Sequence, residues 1–350
     1  MTASTILLVA LILSVPVCAD IVVDTLDIKT AFDKSDLICN CSVGPIVVVE
    51  ERLIPSPPGP PLKRRLMRAS VEVEDAYKVS GPAEQSVVIE YYQDLPSTSA
   101  SQPGLFQGET ALLFLRATSS AHYAFSDPFF GATAFNTLPK ETGEPGLSKL
   151  ESALAAATTQ PNRSDRISAL RILQGFVNLR QDTISTMRCL LASDDSEIAI
   201  MALAVFLKTK TPESVEELKT YLDLNKEKPE PVGLGTLATE LGQIRDERAI
   251  GTIEALSSSQ YVSIRYGALQ ALRGTKDPRS IPTLVKRLDD PDSTNQYLAV
   301  IALAEILGNY GGDLAPSMYL FDKKPQYYIG LWKRWWDEEG KARYESTPDH

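Results

Sequence analysis

The chain has 350 residues, and its 43% hydrophobic and 23% charged content exclude a wholly disordered polymer. Acidic residues (45) outnumber basic ones (35) for a formal charge of −10, so composition supplies no basic face for nucleic acid. Two histidines are present, His122 and the final His350, which excludes by count any site built on several imidazoles.

Residues 1–19 carry no charged side chain, and Ile6 to Val15 is almost wholly apolar. That run is shorter than the ~20 residues a membrane-spanning helix needs, but it suits the apolar centre of a secretory signal. Val17-Cys18-Ala19 offers a small-residue exit before Asp20. The expectation is a signal peptide cleaved near Ala19 and an extracytoplasmic, periplasmic or secreted, mature protein. Lipidation of Cys18 is disfavoured by Val17, where a small residue is usual. Cleavage leaves Cys39, Cys41 and Cys189. On a strand, Cys39 and Cys41 share a face with Leu37 and Val43, which places them in a core rather than in a metal or redox pair.

Residues 20–138 read as a β domain. Leu37 to Val43 alternates, Ile46 to Val49 is a continuous β-branched run, and Ala69, Val71 and Val73 alternate with polar residues. Val87 to Tyr92, Ala111 to Leu115 and Tyr123 to Phe125 complete a set of short strands, the pattern of a sandwich or small barrel. Residues 54–68 hold five prolines and then Lys63, Arg64, Arg65 and Arg68, so they read as an exposed basic loop. Arg64 and Arg65 are its candidate contacts for an anionic surface. His122 reads as a rim residue, because no nucleophile-bearing motif accompanies it.

The segments Ala31-Phe32-Asp33-Lys34-Ser35-Asp36-Leu37-Ile38 and Gly108-Glu109-Thr110-Ala111-Leu112-Leu113-Phe114-Leu115 resemble those of netrin-like modules. The tissue inhibitors of metalloproteinases belong to that group. The resemblance implies an OB-type β-barrel over about a third of the chain. The inhibitors depend on a Cys-x-Cys at the mature amino terminus, whereas Cys39-Asn40-Cys41 lies inside the first strand here, so inhibition is not carried over.

Residues 139–146 read as a linker, and residues 147–325 repeat. A shift of 31 residues lays Leu241 on Leu272, Asp246 on Asp277, Arg248 on Arg279 and Ile250 on Ile281. The same shift lays Tyr266 on Tyr297, Ala268 on Ala299 and Leu272 on Leu303. Each unit predicts helix, turn, helix, with Asp277-Pro278 and Thr211-Pro212 as capped starts and Asp246 as a cap without proline. Asp289-Asp290-Pro291-Asp292 falls in a connection between repeats and reads as capping rather than as a calcium loop. Gly233-Leu234-Gly235 follows no strand, so it is not a dinucleotide loop. The Ala-x-x-Ala-Leu, Asp-turn-Arg and Ile-x-x-Leu pattern resembles HEAT repeats, about five of them, closest to the short subtype found in phycocyanobilin lyases. The resemblance implies a stacked superhelix that binds other proteins, and some relatives are lyases or assist cofactor-attaching enzymes.

Residues 326–345 predict a capping helix. Trp332, Trp335 and Trp336 would lie on the last repeat or anchor a partner or membrane interface. The fold expected is therefore α+β and multidomain, a small OB/netrin-like barrel followed by a HEAT-like α-solenoid. The function expected is a non-enzymatic protein-interaction scaffold with another protein as partner, no nucleic acid and no cofactor. A lyase-like or enzyme-assisting protein and a netrin-type protease inhibitor are the alternatives.

Overall fold

A computed structural model describes residues 27–55, 61–81, 84–95, 104–119, 122–126, 131–227, 231–309 and 314–345. The leader read in residues 1–19 lies outside the described residues.

Helix α1 (Ile28–Lys34) is capped by Asp27, whose side chain accepts from the Lys29 amide. It feeds β1 (Leu37–Ile54), followed by β2 (Leu62–Val79), β3 (Ser86–Leu95), β4 (Thr110–Ser119), β5 (His122–Phe125) and β6 (Ala132–Phe135). The pairing order β1-β2-β3-β5-β4, joined back by β1 to β4, closes a five-stranded barrel, and β6 adds beside β4. All neighbours are antiparallel except β3 and β5. This is the OB-type barrel that the resemblance implied, with the extra strand β6 beyond it.

The two runs read as separate strands, Leu37 to Val43 and Ile46 to Val49, are one strand. It is irregular at Gly44-Pro45, where proline has no ladder donor and a Cβ on Gly44 would sit 3.0 Å from the Ser70 carbonyl oxygen. The basic stretch is also strand rather than loop. β2 begins at Leu62, so Lys63, Arg64, Arg65 and Arg68 alternate across a ladder. β2 thus starts directly after Pro61, and the charges sit along a sheet whose β3 strand buries Tyr91 and Asp94. Past the barrel core residues Ala69 and Ile89, residues 47–54, 62–68 and 90–95 of β1, β2 and β3 run on as a three-stranded blade.

The barrel interior is Leu37, Cys39, Cys41, Val43, Ala69, Val71, Val87, Ile89, Ala111, Leu113 and Leu115 with their neighbours. The alternate residues of the same strands, Ile38, Tyr77, Leu112 and Phe114, belong to a second core shared with α1 and the helices that follow. β4 is thus buried on both faces, which is why Ala111 to Leu115 is continuously apolar.

The helices are α2 (Leu147–Ala157), α3 (Arg163–Leu173), α4 (Gln181–Leu190), α5 (Ser196–Leu207), α6 (Pro212–Leu224), α7 (Leu234–Leu241), α8 (Ile250–Leu256) and α9 (Val262–Thr275). After them come α10 (Ile281–Arg287), α11 (Ser293–Ile306), α12 (Met318–Lys323), α13 (Pro325–Trp335) and α14 (Lys341–Tyr344). They form two rows. In one, α3, α5, α7, α9, α11 and α13 pack in succession; in the other, α2 touches α4, α6 touches α8, and α10 touches α14. Asp246 and Asp277 cap short 3₁₀ turns that lead into α8 and α10, each accepting from the amide two residues on. Thr211 caps α6 in front of Pro212.

The barrel closes the first end of the stack. Ile38, Leu112, Phe114, Phe135 and Leu138 pack with Leu150, Leu154, Leu170 and Leu173 in one core. The buried Asp165 carboxylate of α3 accepts from the amides of Asn136 (2.7 Å) and Thr137 (3.0 Å), tying the chain leaving β6 to the helices. Lys149 of α2 pairs with Asp75 of β2 at 2.6 Å.

Candidate functional site

Cys189 of α4 is a free, exposed thiol, whereas Cys39, Cys41, Asp290 and Asp292 are placed as structural parts. Cys39 and Cys41 are fully buried in the barrel. The hydrogen bond between the two thiols, with burial, holds Cys39 well above its ordinary pKa, so it presents no thiolate. Cys41 directs its thiol at the Ala111 carbonyl at 3.4 Å. His122 opens β5, opposite Val88 and Ser119, as the rim position expected. Asp290 receives Arg265 bidentately at 2.8 and 3.0 Å, and Asp292 caps α11, so both carboxylates have packing roles. Among the described residues, no group of three or more His, Cys, Asp and Glu side chains is placed to hold a metal ion.

The sequence-nominated contact residues fall in two places. Arg64 is held bidentately by Asp94 at 2.6 and 2.7 Å, and Arg65 by Glu51 at 2.7 Å, so the basic patch is compensated within the sheet. Glu51, on which Lys63 and Arg65 converge, is held below the usual carboxylate range by those two cations. The compensation removes the positive field that an anionic surface would need. Trp332 is fully buried, and its indole N–H donates to the Leu314 carbonyl at 3.1 Å. Trp335 and Trp336 are partly buried against the stack core, with Trp335 edge-on to Trp332 at 5.4 Å between centroids. The exposed aromatics of this end are instead Tyr319 and Tyr327.

An open concavity lies where α6 gives way to α7. Nine residues, Asn225 to Gly233, join α6 to α7, whereas five, Leu288 to Asp292, join α10 to α11. Pro231, which has no amide hydrogen to give a helix, lies just before α7. Gly233 ends the connection at φ 97°, and a Cβ there would stand 3.0 Å from Ile200. Leu191 to Asp194 and Ser196 form one wall of a groove of about 600 Å³. Tyr221, Leu224, Asn225, Pro231 and Val232 form the other. Leu224 and Val232 are 79% and 77% exposed, so the lips are aliphatic. Val232 also borders a smaller hollow of about 230 Å³ over Ile200 and Met201. Hydroxyls, one amide and aliphatic lips suit an extended polypeptide, which needs both backbone hydrogen bonds and apolar contact. The sequence signal for this groove is the pair Pro229 and Pro231, just ahead of the segment that repeats at 31 residues.

Comparison with known proteins agrees with the helical half. Residues 222–304 match the family of HEAT repeats. No curated protein matches the chain. Among solved structures, one engineered protein is 19% identical over 46% of this chain and 81% of its own, with a TM-score of 0.30. A second engineered protein is 17% identical over 53% of this chain and 58% of its own, also with a TM-score of 0.30.

Proposed function

We propose that this protein is an extracytoplasmic, non-enzymatic scaffold that binds another protein on its helical stack, at the groove beside Val232. The observation that carries the reading is that groove. HEAT repeats in general mediate protein–protein contact, and this stack opens the connection between α6 and α7 into a groove with aliphatic lips. A structural insertion with no binding role would be expected to bury Leu224 and Val232, and both project into water. The groove's walls bring together no nucleophile with a base, which favours the scaffold over a lyase-like enzyme. The extracytoplasmic location rests on the uncharged, apolar first nineteen residues.

The test uses the full chain, because barrel and stack share a core and neither half is a self-contained unit. Expressed with its own leader, the exported protein should begin at Asp20 by amino-terminal sequencing. Cross-linking in place should recover one protein in stoichiometric amount. The double variant Leu224→Glu/Val232→Glu should lose it while keeping the wild-type melting temperature. Retained capture by that variant, or an intact leader on a protein confined to the cytoplasm, would sink the corresponding half of the proposal.

A further inference from the structure

The blade of the barrel has an open edge. β1 pairs with β4 only through Ser42, and beyond Ile46 its outer edge meets no strand among the described residues. That edge reads Ile46-Val47-Val48-Val49-Glu50-Glu51-Arg52-Leu53-Ile54, with Val47 52% and Leu53 70% exposed. Long apolar edges invite pairing with another strand, and proteins commonly block them with charges and bulges. Here a bulge does fall between Val48 and Glu50, and three charges follow. The charges, however, are not arranged as a block.

Seven of the nine charged residues on the blade are neutralised inside it. Glu51 takes Lys63 and Arg65, Asp94 takes Arg64, and Glu90 takes Arg68. Glu50 and Arg52 alone have no counter-ion among the described residues. They stand two apart on one face, opposite Leu66 and Arg64 in the β2 register. The Arg52 guanidinium lies 5.7 Å above the Tyr92 ring of β3, so it rests across β2 on the face of the sheet that Glu50 shares.

We infer that this edge is a self-association surface: two copies add their β1 strands antiparallel about a two-fold axis at Glu51. In that register Glu50 faces Arg52 of the second copy and Arg52 faces its Glu50, so both unpaired charges of each chain are satisfied. Val49 faces Leu53 and Val48 faces Ile54, apolar against apolar. Only Glu51 meets its own kind, and each Glu51 already holds two cations of its own chain at 2.8 and 2.7 Å. The bulge at Val49 lies outside the charged centre, where only aliphatic side chains meet. Neighbouring registers fail. Centring on Glu50 sets Val48 against Arg52, Val49 against Glu51 and Glu50 against itself. Centring on Arg52 sets arginine against arginine and Glu50 against Ile54. The two-fold operator uses the same patch on both chains, so the assembly closes at two rather than growing into a fibre. An interface of one strand pair lies at the small, weak end of the range, and its association is reversible. The inference is independent of the groove on the stack.

Sedimentation equilibrium of the full chain, from low to several hundred micromolar, tests this. The wild type should show a reversible monomer–dimer equilibrium. Arg52→Glu and Glu50→Arg, each alone, place like charges across the axis and should raise the dissociation constant by about tenfold or more. Mixing the two variants should restore association, because each chain then offers the charges the other lacks. The double variant Glu50→Arg/Arg52→Glu should dimerise as the wild type does. Leu53→Lys, which sets a lysine against Val49, provides an independent loss that does not rest on the charge pair. All these positions are exposed, and circular dichroism checks that each variant is folded. A wild type that stays monomeric over the whole range overturns the proposal. So does a dimer indifferent to these substitutions, or a mixture of the two charge variants that fails to associate.

Discussion

Two ion pairs of the blade and one of the helical stack use charge in opposite ways. On the blade, Arg68 and Glu90 or Arg65 and Glu51 meet at the water-facing surface, with side chains a third or more exposed in most cases. In the stack, Arg265 and Asp290 are sealed between repeats, 7% and 0% exposed by side chain. Arg265 also donates to the carbonyls of Ser259 and Gln260, while the Asp292 amide and the Asn295 side chain donate to Asp290. An exposed pair exchanges water for a partner at little net gain, whereas a buried pair has no water to return to when one member is removed. The exposed pairs of the blade thus serve solubility and register, and the sealed Arg265–Asp290 pair fixes how one repeat of the stack sits on the next.

The sharpest way to break this comparison is Arg265→Ala. Stranding Asp290 in the core should cost about 3–5 kcal/mol in urea unfolding of the full chain. The double variant Arg265→Met/Asp290→Leu should recover most of that loss, since no charge is left buried. If the single variant costs no more than a surface pair, the contrast between the two regions is wrong. Next in size is Gly267→Ala. A Cβ there would stand 2.4 Å from the Ala238 carbonyl oxygen and 2.8 Å from its Cα, both backbone atoms of α7. Forcing α7 and α9 apart should cost about 1–3 kcal/mol by the same measurement. Gly251→Ala, with nothing within 4 Å, provides the matched control and should not destabilise.

A smaller effect has the opposite sign. Lys276 closes α9 at φ 55°, a left-handed conformation that suits glycine. Lys276→Gly should stabilise the protein by about 1 kcal/mol, seen as a higher melting temperature. Smallest of all should be Arg68→Ala on the blade, whose loss of the Glu90 contact should change stability by about 1 kcal/mol or less. A larger loss would mean that the blade's charges carry structural weight like those of the stack.

Legibility in the sequence follows the same divide. The stack could be read because its partners recur at a fixed interval, so that Asp246 and Asp277 disclose one another and their caps. The blade could not, because Arg64 finds Asp94 thirty positions away and Arg65 finds Glu51 fourteen away, with nothing in either stretch to signal the pairing. A cluster of four basic residues after a run of prolines therefore read as a loop with a positive field, when it is a strand with its charges answered. Trp332 is legible as a cap component from the aromatic cluster in α13, but that its N–H meets the Leu314 carbonyl follows from a contact eighteen positions away that no repeat signals. The groove left one trace, Pro229 and Pro231 just ahead of the repeating segment, while the exposure of Leu224 and Val232 is set by tertiary packing alone.

The core shared by barrel and helices also sets an order of events during synthesis. The barrel strands leave the ribosome first, yet Ile38, Tyr77, Leu112 and Phe114 share their core with Leu150, Leu154, Leu170 and Leu173 of α2 and α3 as well as with α1. The β half thus has to wait, one apolar flank partly bare, until α2 and α3 have followed β6. Contacts of such long sequence separation make for slow closure and a prolonged exposure to self-association. A chain of this design places its greatest demand on chaperoning at its middle, when the barrel is complete in hydrogen bonds and still incomplete in cover.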